Sequence, residues 1–280
     1  MTWNIVSDSS CDLKPSDLET TTLSFQVVPM RIQVGGHDYL DDENLNIPML
    51  LAEMAAEKAA SSSACPSPAA FAHAFEAGEN TLCFTISSNL SGTYNAAVLA
   101  RSLVLEEHPE KKICVIDSKS TAGVMILLIR KAAELICAGG GDFEGICSAV
   151  RAYQASLRTL FTLENFDNLI KNGRMRPLVG NLLHTLGIHV VAEATSKGTI
   201  HVVDKSKGET KTYRAITALM SQSKDCSGAQ VFISHCENLR GALKLKEQIL
   251  ADLPVKDVSI VGCRGLTSFY AMEKGLILGY

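Results

Sequence analysis

The chain has 280 residues, 46% of them hydrophobic, enough to bury a sizeable core in one large domain or two ordinary ones. Its formal net charge is −4 and its Lys and Arg form no long run, which argues against nucleic acid as a partner, because phosphate contacts need clustered cations. The nine cysteines are odd in number without a Cys-x-x-Cys, and the seven histidines form no His-x-x-x-His, so no metal or cofactor is expected and a reducing, cytoplasmic setting fits.

Met1-Thr2-Trp3-Asn4 leads straight into strand-like Ile5-Val6 with no leader pattern, and the longest apolar run, Ala122 to Ile129, is too short to span a bilayer. The first strand ends in the polar turn Ser7-Asp8-Ser9-Ser10. Leu23 to Val34 reads as one extended segment closing on Gly35-Gly36; Asp41-Asp42-Glu43 is an ordinary polar stretch, and a helix is expected over Ile47 to Ala60. Ser61 to Pro68 follows as a hydroxyl-rich turn, with Ser67-Pro68 as N-cap and first residue of a helix to Ala77. Leu82 to Ile86 is a buried-strand pattern, Ser87 to Thr93 a turn, and Tyr94 to Leu105 a helix. Lys112 to Ile116, Asp117-Ser118-Lys119-Ser120 and the apolar helix Ala122 to Ala138 repeat the same order; Gly139-Gly140-Gly141 then stops the chain before a helix over Phe143 to Leu157. Strand, polar turn and helix recurring in this way call for a parallel, Rossmann-like sheet with ligands at the carboxyl ends of its strands.

After residue 160 the pattern changes. Leu160 to Leu163 is strand-like, Phe166 to Lys171 a short helix, Asn172-Gly173-Arg174-Met175 a turn and Leu178 to Leu186 a helix. Ile188 to Ala194 and Thr199 to Asp204 flank Thr195-Ser196-Lys197-Gly198 as a β-hairpin, and helix Thr212 to Ser221, strand Gln230 to Ser234, helix Leu239 to Leu250 and strand Val258 to Val261 complete the pattern. The expected architecture is α/β with two domains, a parallel-sheet domain over 1–160 and an α+β domain over 161–280 that closes over the ligand.

No Gly-x-Ser-x-Gly, Gly-x-Gly-x-x-Gly or Walker pattern occurs, which leaves a serine hydrolase or a nucleotide-binding protein without its signature. What stands out is the hydroxyls: Ser63 with Ser67, then Ser87, Ser88, Ser91 and Thr93, then Gly265 to Ser268. A helix start offers unpaired N–H groups and the positive end of a dipole, so hydroxyls gathered there suit a carboxylate or phosphate; equally, Ser91 or Thr93 can simply cap its helix. Two chemistries remain open. One is a carrier that holds an acid without reacting with it. The other is an enzyme acting on a small carboxylated or phosphorylated substrate at the same helix N-termini, with Asp8, Asp117 or Cys263 as its titratable group.

The order of the blocks Ile5 to Leu13, Ser63-Ala64-Cys65-Pro66-Ser67-Pro68, Ile86-Ser87-Ser88-Asn89-Leu90-Ser91-Gly92-Thr93-Tyr94, Val115 to Ser118 and Asn172-Gly173-Arg174-Met175 resembles the bacterial DegV family of fatty-acid-binding proteins over nearly the whole chain. The resemblance implies a long-chain fatty acid, such as palmitate, stearate or oleate, held in a tunnel between two domains and presented to a fatty acid kinase, with no chemistry done by the binding protein. It places Ser63, Ser91 and the Gly92 amide on the carboxylate and Arg174 on a partner-facing surface. It also puts Cys263, with Thr267 and Ser268 close by, where the family usually carries a histidine near the carboxylate, a loss of one charged donor.

Overall fold

The computed structural model describes residues 2–18, 23–57, 61–139, 141–176 and 188–280. In chain order the first part runs β1 (Trp3–Asp8), β2 (Leu23–Val28), β3 (Arg31–Val34), β4 (His37–Leu40), α1 (Ile47–Ala56), β5 (Ser62–Ala64), α2 (Pro68–Phe75), β6 (Asn80–Thr85), α3 (Thr93–Glu107), β7 (Lys112–Asp117), α4 (Gly123–Cys137) and α5 (Phe143–Ser156). The second part runs β8 (Thr159–Leu163), α6 (Asp167–Lys171), β9 (Ile188–Ala194), β10 (Ile200–Lys207), α7 (Glu209–Ser223), β11 (Gln230–His235), α8 (Leu239–Asp252), β12 (Asp257–Gly262), α9 (Gly265–Ala271) and β13 (Leu276–Gly279).

The strand–turn–helix repeats form the expected parallel sheet, in the order β2-β1-β6-β7. Every residue of β6 is buried, as a strand covered on both faces must be. Local chemistry sets the helix starts: Ser67 accepts the Ala70 N–H at α2, Asp142 the Gly145 N–H at α5 and Asn46 the Met49 N–H at α1. The chain reverses direction across this sheet at β1, so the carboxyl ends of β1 and β6 flank the crevice where α/β sheets receive ligands.

The second sheet is mixed, six strands in the order β10-β9-β8-β13-β11-β12, with only β11 and β12 parallel. Helix α4 lies between the two sheets. It touches β1, β2 and β6 on one side and β11 and β13 on the other, which is why every residue from Gly123 to Ile129 is buried and this first half of the helix is apolar all round. Its first turn crosses β13 with two glycines face to face. A Cβ on Gly123 would lie 2.5 Å from Gly279 N and 2.7 Å from Phe232 O, and a Cβ on Gly279 would collide with the backbone of Gly123 and Val124.

A third, small antiparallel sheet, β4-β3-β5, carries Ser63. The extended segment Leu23 to Val34 therefore splits into two strands of different sheets, and Ser63 sits on an edge strand rather than in a turn leading to a helix. This sheet and α1 pack on the second unit: Ile32, Val34, Leu50 and Leu51 share one core cluster with Phe161, Leu163, Val190 and Phe269. The expected 1–160 and 161–280 division is crossed by that packing, and the change of sheet falls before β8, which begins at Thr159. The helix begun at Ile47 ends at Ala56, and residues 58–60 and the expected helix over 178–186 lie outside the described residues. Helix α9 and strand β13 have no counterpart in the sequence reading. Gly265 and Leu266 are capped not by a neighbour but by Asp41, 224 residues away from Gly265, so no local signal marks the start of α9.

Replacing Gly279 by Ala puts a methyl group against backbone that cannot rotate away, and is expected to cost about 3 kcal/mol of stability in urea unfolding. A loss under about 1 kcal/mol would mean that the α4–β13 crossing is looser than the contact implies.

Candidate functional site

The carboxyl ends of β1, β6 and β7 are tied together by two aspartates. Asp8, the last residue of β1, accepts the Ile86 N–H at 2.7 Å and both the N–H and hydroxyl of Ser10. Asp117, the last residue of β7, accepts the N–H groups of Ser88 at 3.1 Å and Lys119 at 2.9 Å, together with the Ser88 hydroxyl. Both carboxylates thus shape the turn from Ile86 to Thr93, and neither lines the cavity beyond it. Helix α3 then begins at Thr93 with Gly92, which brings no side chain, as its N-cap, and Ser91 Oγ sits 2.8 Å from Thr93 Oγ1. Ser91 Oγ also accepts the Thr93 N–H at 3.4 Å, so the capping role open to Ser91 is filled by one long bond.

The tip of the β9–β10 hairpin docks on the same turn. Ser87 Oγ donates to Gly198 O at 2.7 Å and Asn89 Nδ2 to Lys197 O at 2.6 Å. Gly198 has φ +77°, and any side chain there would strike Ser87 Oγ, so glycine is required on both counts.

Beneath this strap and between the sheets lies a cavity of about 90 Å³. Its walls are mostly apolar, with Met30, Ile86, Phe161, Leu163, Ile200 and Ile277 among them. They also hold a polar cluster. Ser63, Ser91, Arg174 and Tyr270 all line the cavity, and they are linked: Ser63 Oγ is 2.7 Å from Tyr270 Oη, the Arg174 guanidinium lies 5.8 Å from the Tyr270 ring centre, and Arg174 Nε donates to Leu90 O, next to Ser91, at 3.1 Å. The hydroxyls of Ser120, Thr121 and Thr159, also on the walls, are occupied: Ser120 and Thr159 bond to each other, and Thr121 donates to Ser10 O.

The residues singled out from sequence fall into two groups. Ser63, Ser91, Arg174 and Thr267 line the cavity. Gly92, Cys263 and Ser268 do not: Gly92 lies next to the lining residue Cys65, whose Sγ is 3.6 Å from where a Cβ on Gly92 would be. Ser268 is fully buried with its hydroxyl pointing to Cys263 O at 3.4 Å. Cys263 is buried off the wall, and burial pushes its thiol up, so it stays neutral and is no candidate nucleophile. Arg174, expected on a partner-facing surface, is half-buried and turned toward the cavity by hydrogen bonds to Leu90 O and Asn172 O. Tyr270 was missed because its helix was missed.

Arg264 points inward rather than to solvent. It donates to Leu13 O at 2.9 Å, and its Nε lies 3.9 Å from Asp41 Oδ1. Asp41 in turn accepts the N–H groups of Gly265 at 2.7 Å and Leu266 at 2.8 Å, holding α9 and with it Thr267 and Tyr270. Burial still pushes the Asp41 carboxyl up against these bonds. Asp12, which accepts the Arg264 N–H at 2.9 Å, is pushed up by burial to about 7. The Ser234 and Thr267 hydroxyls oppose that shift by lying near its carboxyl, although neither has hydrogen-bonding geometry, and Asp12 Oδ2, Ser234 Oγ and Thr267 Oγ1 are all buried without a formed bond. Asp8 is likewise pushed up by burial, to about 6. Among the described residues no group of three or more His, Cys, Asp or Glu could hold a metal ion, and no helix is long and apolar enough to cross a membrane.

Comparison with known proteins shows the family to which the chain is similar over its length. The DegV family model, described as "Uncharacterised protein, DegV family", matches residues 2–274. A DegV domain-containing protein of Streptococcus pneumoniae is 38% identical over 280 residues, covering 100% of this chain and 99% of that one. The solved structure of the Streptococcus pneumoniae Fatty Acid Kinase (Fak) B3 protein loaded with linoleic acid superposes with a TM-score of 0.96 at 38% identity, over 100% of this chain and 99% of that chain. A DegV family protein of Eubacterium eligens loaded with heptadecanoic acid does so with a TM-score of 0.93 at 34% identity, over 99% of each chain.

Asp12 carries a pH signature. Its carboxyl holds a proton up to about pH 7 in the folded chain against an ordinary value of 3.8, so between these limits the folded state binds more protons than the unfolded one and this group's contribution to stability falls as pH rises. Asp12→Asn keeps an acceptor for the Arg264 N–H and gives Ser234 and Thr267 an amide donor. Urea midpoints measured between pH 5 and 8 are expected to fall less steeply in this variant than in the wild type; parallel profiles would remove Asp12 from the account.

Proposed function

The chain belongs to the DegV family, and from that membership and the lining of the cavity we propose that it binds one long-chain fatty acid, with the carboxylate at Ser63, Ser91 and Arg174 and the acyl chain along the apolar walls. The observation that carries this reading is that a single, mostly apolar cavity also holds a linked polar cluster, Ser63 bonded to Tyr270 with the Arg174 guanidinium over the Tyr270 ring. A carboxylate is an acceptor with about four lone-pair sites, and Ser63, Ser91 and Arg174 are donors that can meet it without any proton transfer. The acyl chain would be driven in by burial, at roughly 0.8 kcal/mol per methylene.

The competing reading, an enzyme working on a small polar substrate, needs an acid or base facing the ligand. Asp8 and Asp117 are engaged with backbone N–H groups away from the walls, and Cys263 is buried off them. The protein is therefore read as a carrier that performs no chemistry. Solved relatives described as loaded with linoleic and heptadecanoic acids support that reading, and the one described as a Fatty Acid Kinase B3 protein supports a fatty acid kinase as the partner to which the acid is presented. Arg174, turned to the cavity, would then meet the carboxylate first and the partner only through it.

Solvent extraction of the purified protein, before and after incubation with excess oleate or palmitate, is expected to yield a long-chain acid at close to one per chain by mass spectrometry; its absence under both conditions would sink the carrier. Replacing both Ser63 and Ser91 by Ala is expected to weaken binding by roughly 3 kcal/mol or more, since a hydrogen bond to a charged group contributes roughly 1.5 to 3. Unchanged affinity in the double variant would move the carboxylate elsewhere.

A further inference from the structure

Tyr270 ties the polar residues of the cavity wall together. It lies on α9, which Asp41 holds at its start. Phe269 meets its ring edge-on at 4.8 Å, and the Arg174 guanidinium lies over the ring at 5.8 Å. Its phenol oxygen is 2.7 Å from Ser63 Oγ, in a bond between two elements, α9 and the edge strand β5, that are 207 residues apart in sequence. Both residues are half-buried and both line the cavity.

We propose that Tyr270 is a ligand-positioning residue: with Ser63 it forms a hydroxyl pair that presents one O–H to the carboxylate of the bound acid. The proposal rests on the fatty-acid reading of the cavity. Two hydroxyls carry two protons, and one of them closes the bond between the pair, which leaves one proton for an outside acceptor whichever oxygen donates internally. A carboxylate is such an acceptor; an ester or an uncharged head group is a much poorer one. The phenol is held in one place by Phe269 and by the ring's contact with Arg174, so it also fixes the Ser63 hydroxyl, which on a half-buried edge strand would otherwise turn among its rotamers. Arg174 supplies charge at the same point.

The test separates the head group from the tail. Affinities for oleic acid and for methyl oleate are measured by displacement of a fluorescent fatty acid from the wild type, Tyr270→Phe, Ser63→Ala and Ser63→Thr. The wild type is expected to prefer the acid. Tyr270→Phe, which keeps the ring and its contacts, is expected to lose about tenfold or more in affinity for the acid while holding its affinity for the ester, so that the acid-to-ester ratio collapses. Ser63→Ala is expected to lower the ratio in the same way, and Ser63→Thr, which keeps the hydroxyl, to restore it. A Tyr270→Phe variant with the wild-type ratio, or one that loses acid and ester equally, overturns the proposal, because a purely structural tyrosine would affect both ligands alike. A wild type that binds neither ligand, or prefers the ester, instead overturns the fatty-acid reading on which the proposal stands.

Discussion

The approach of Gly123 to Gly279 sets the separation of the two sheets, and the remaining architecture depends on that distance. Because neither residue carries a side chain, the first turn of α4 lies directly on the backbone of β13, and the rest of α4 can be wrapped by apolar side chains from both sides. The two sheets are then close enough for the Ile86 to Thr93 turn of one to meet the β9–β10 tip of the other. The cavity lies between them, walled by Ile86 from the first and by Phe161 and Ile277 from the second.

Charge is used in this molecule mainly to hold backbone. Asp8 and Asp117 fasten the turn that bears Ser91, and Asp41 with Arg264 fastens the helix that bears Thr267 and Tyr270. Burying carboxylates in this way is costly, as the raised affinity of Asp8, Asp12 and Asp41 for protons shows, and the backbone N–H groups they accept offset part of that cost. What faces the ligand space is mostly neutral. Hydroxyls on well-fixed elements, with one guanidinium, can recognise an acid by its acceptors without offering it a base.

The parallel sheet and its helices were legible in the sequence because each strand, cap and helix there is encoded locally: Ser67 before Pro68, the apolar run through β6, the polar turn after each strand. Ser63 and Ser91 were found as hydroxyls at such turns, and both line the cavity, although Ser63 reaches it from an edge strand rather than from a helix start. The parts that could not be read are those that depend on distant partners. Asp41 looked like one of three acidic residues in a surface segment, yet it caps Gly265 and Leu266; only a contact between positions 224 residues apart gives it that role. Tyr270 fell in a helix too short and too weakly marked to be noticed. Cys263, aligned with a family histidine, is turned away from the cavity, because side-chain direction in α9 and the loop before it follows from packing and not from the order of motifs.

The position of β13 bears on how the molecule assembles. It is the last strand of its sheet in sequence, yet it lies in the middle, antiparallel between β8 and β11. Until it arrives, β8 with its hairpin and β11 with β12 have no ladder between them, and joining them closes loops of more than forty and more than a hundred residues, roughly, which makes this a late and slow step of folding. Ile277 on β13 also forms part of the cavity wall. A partly folded chain therefore has no closed compartment for hydrocarbon, and the capacity to take a ligand arrives together with completion of the fold.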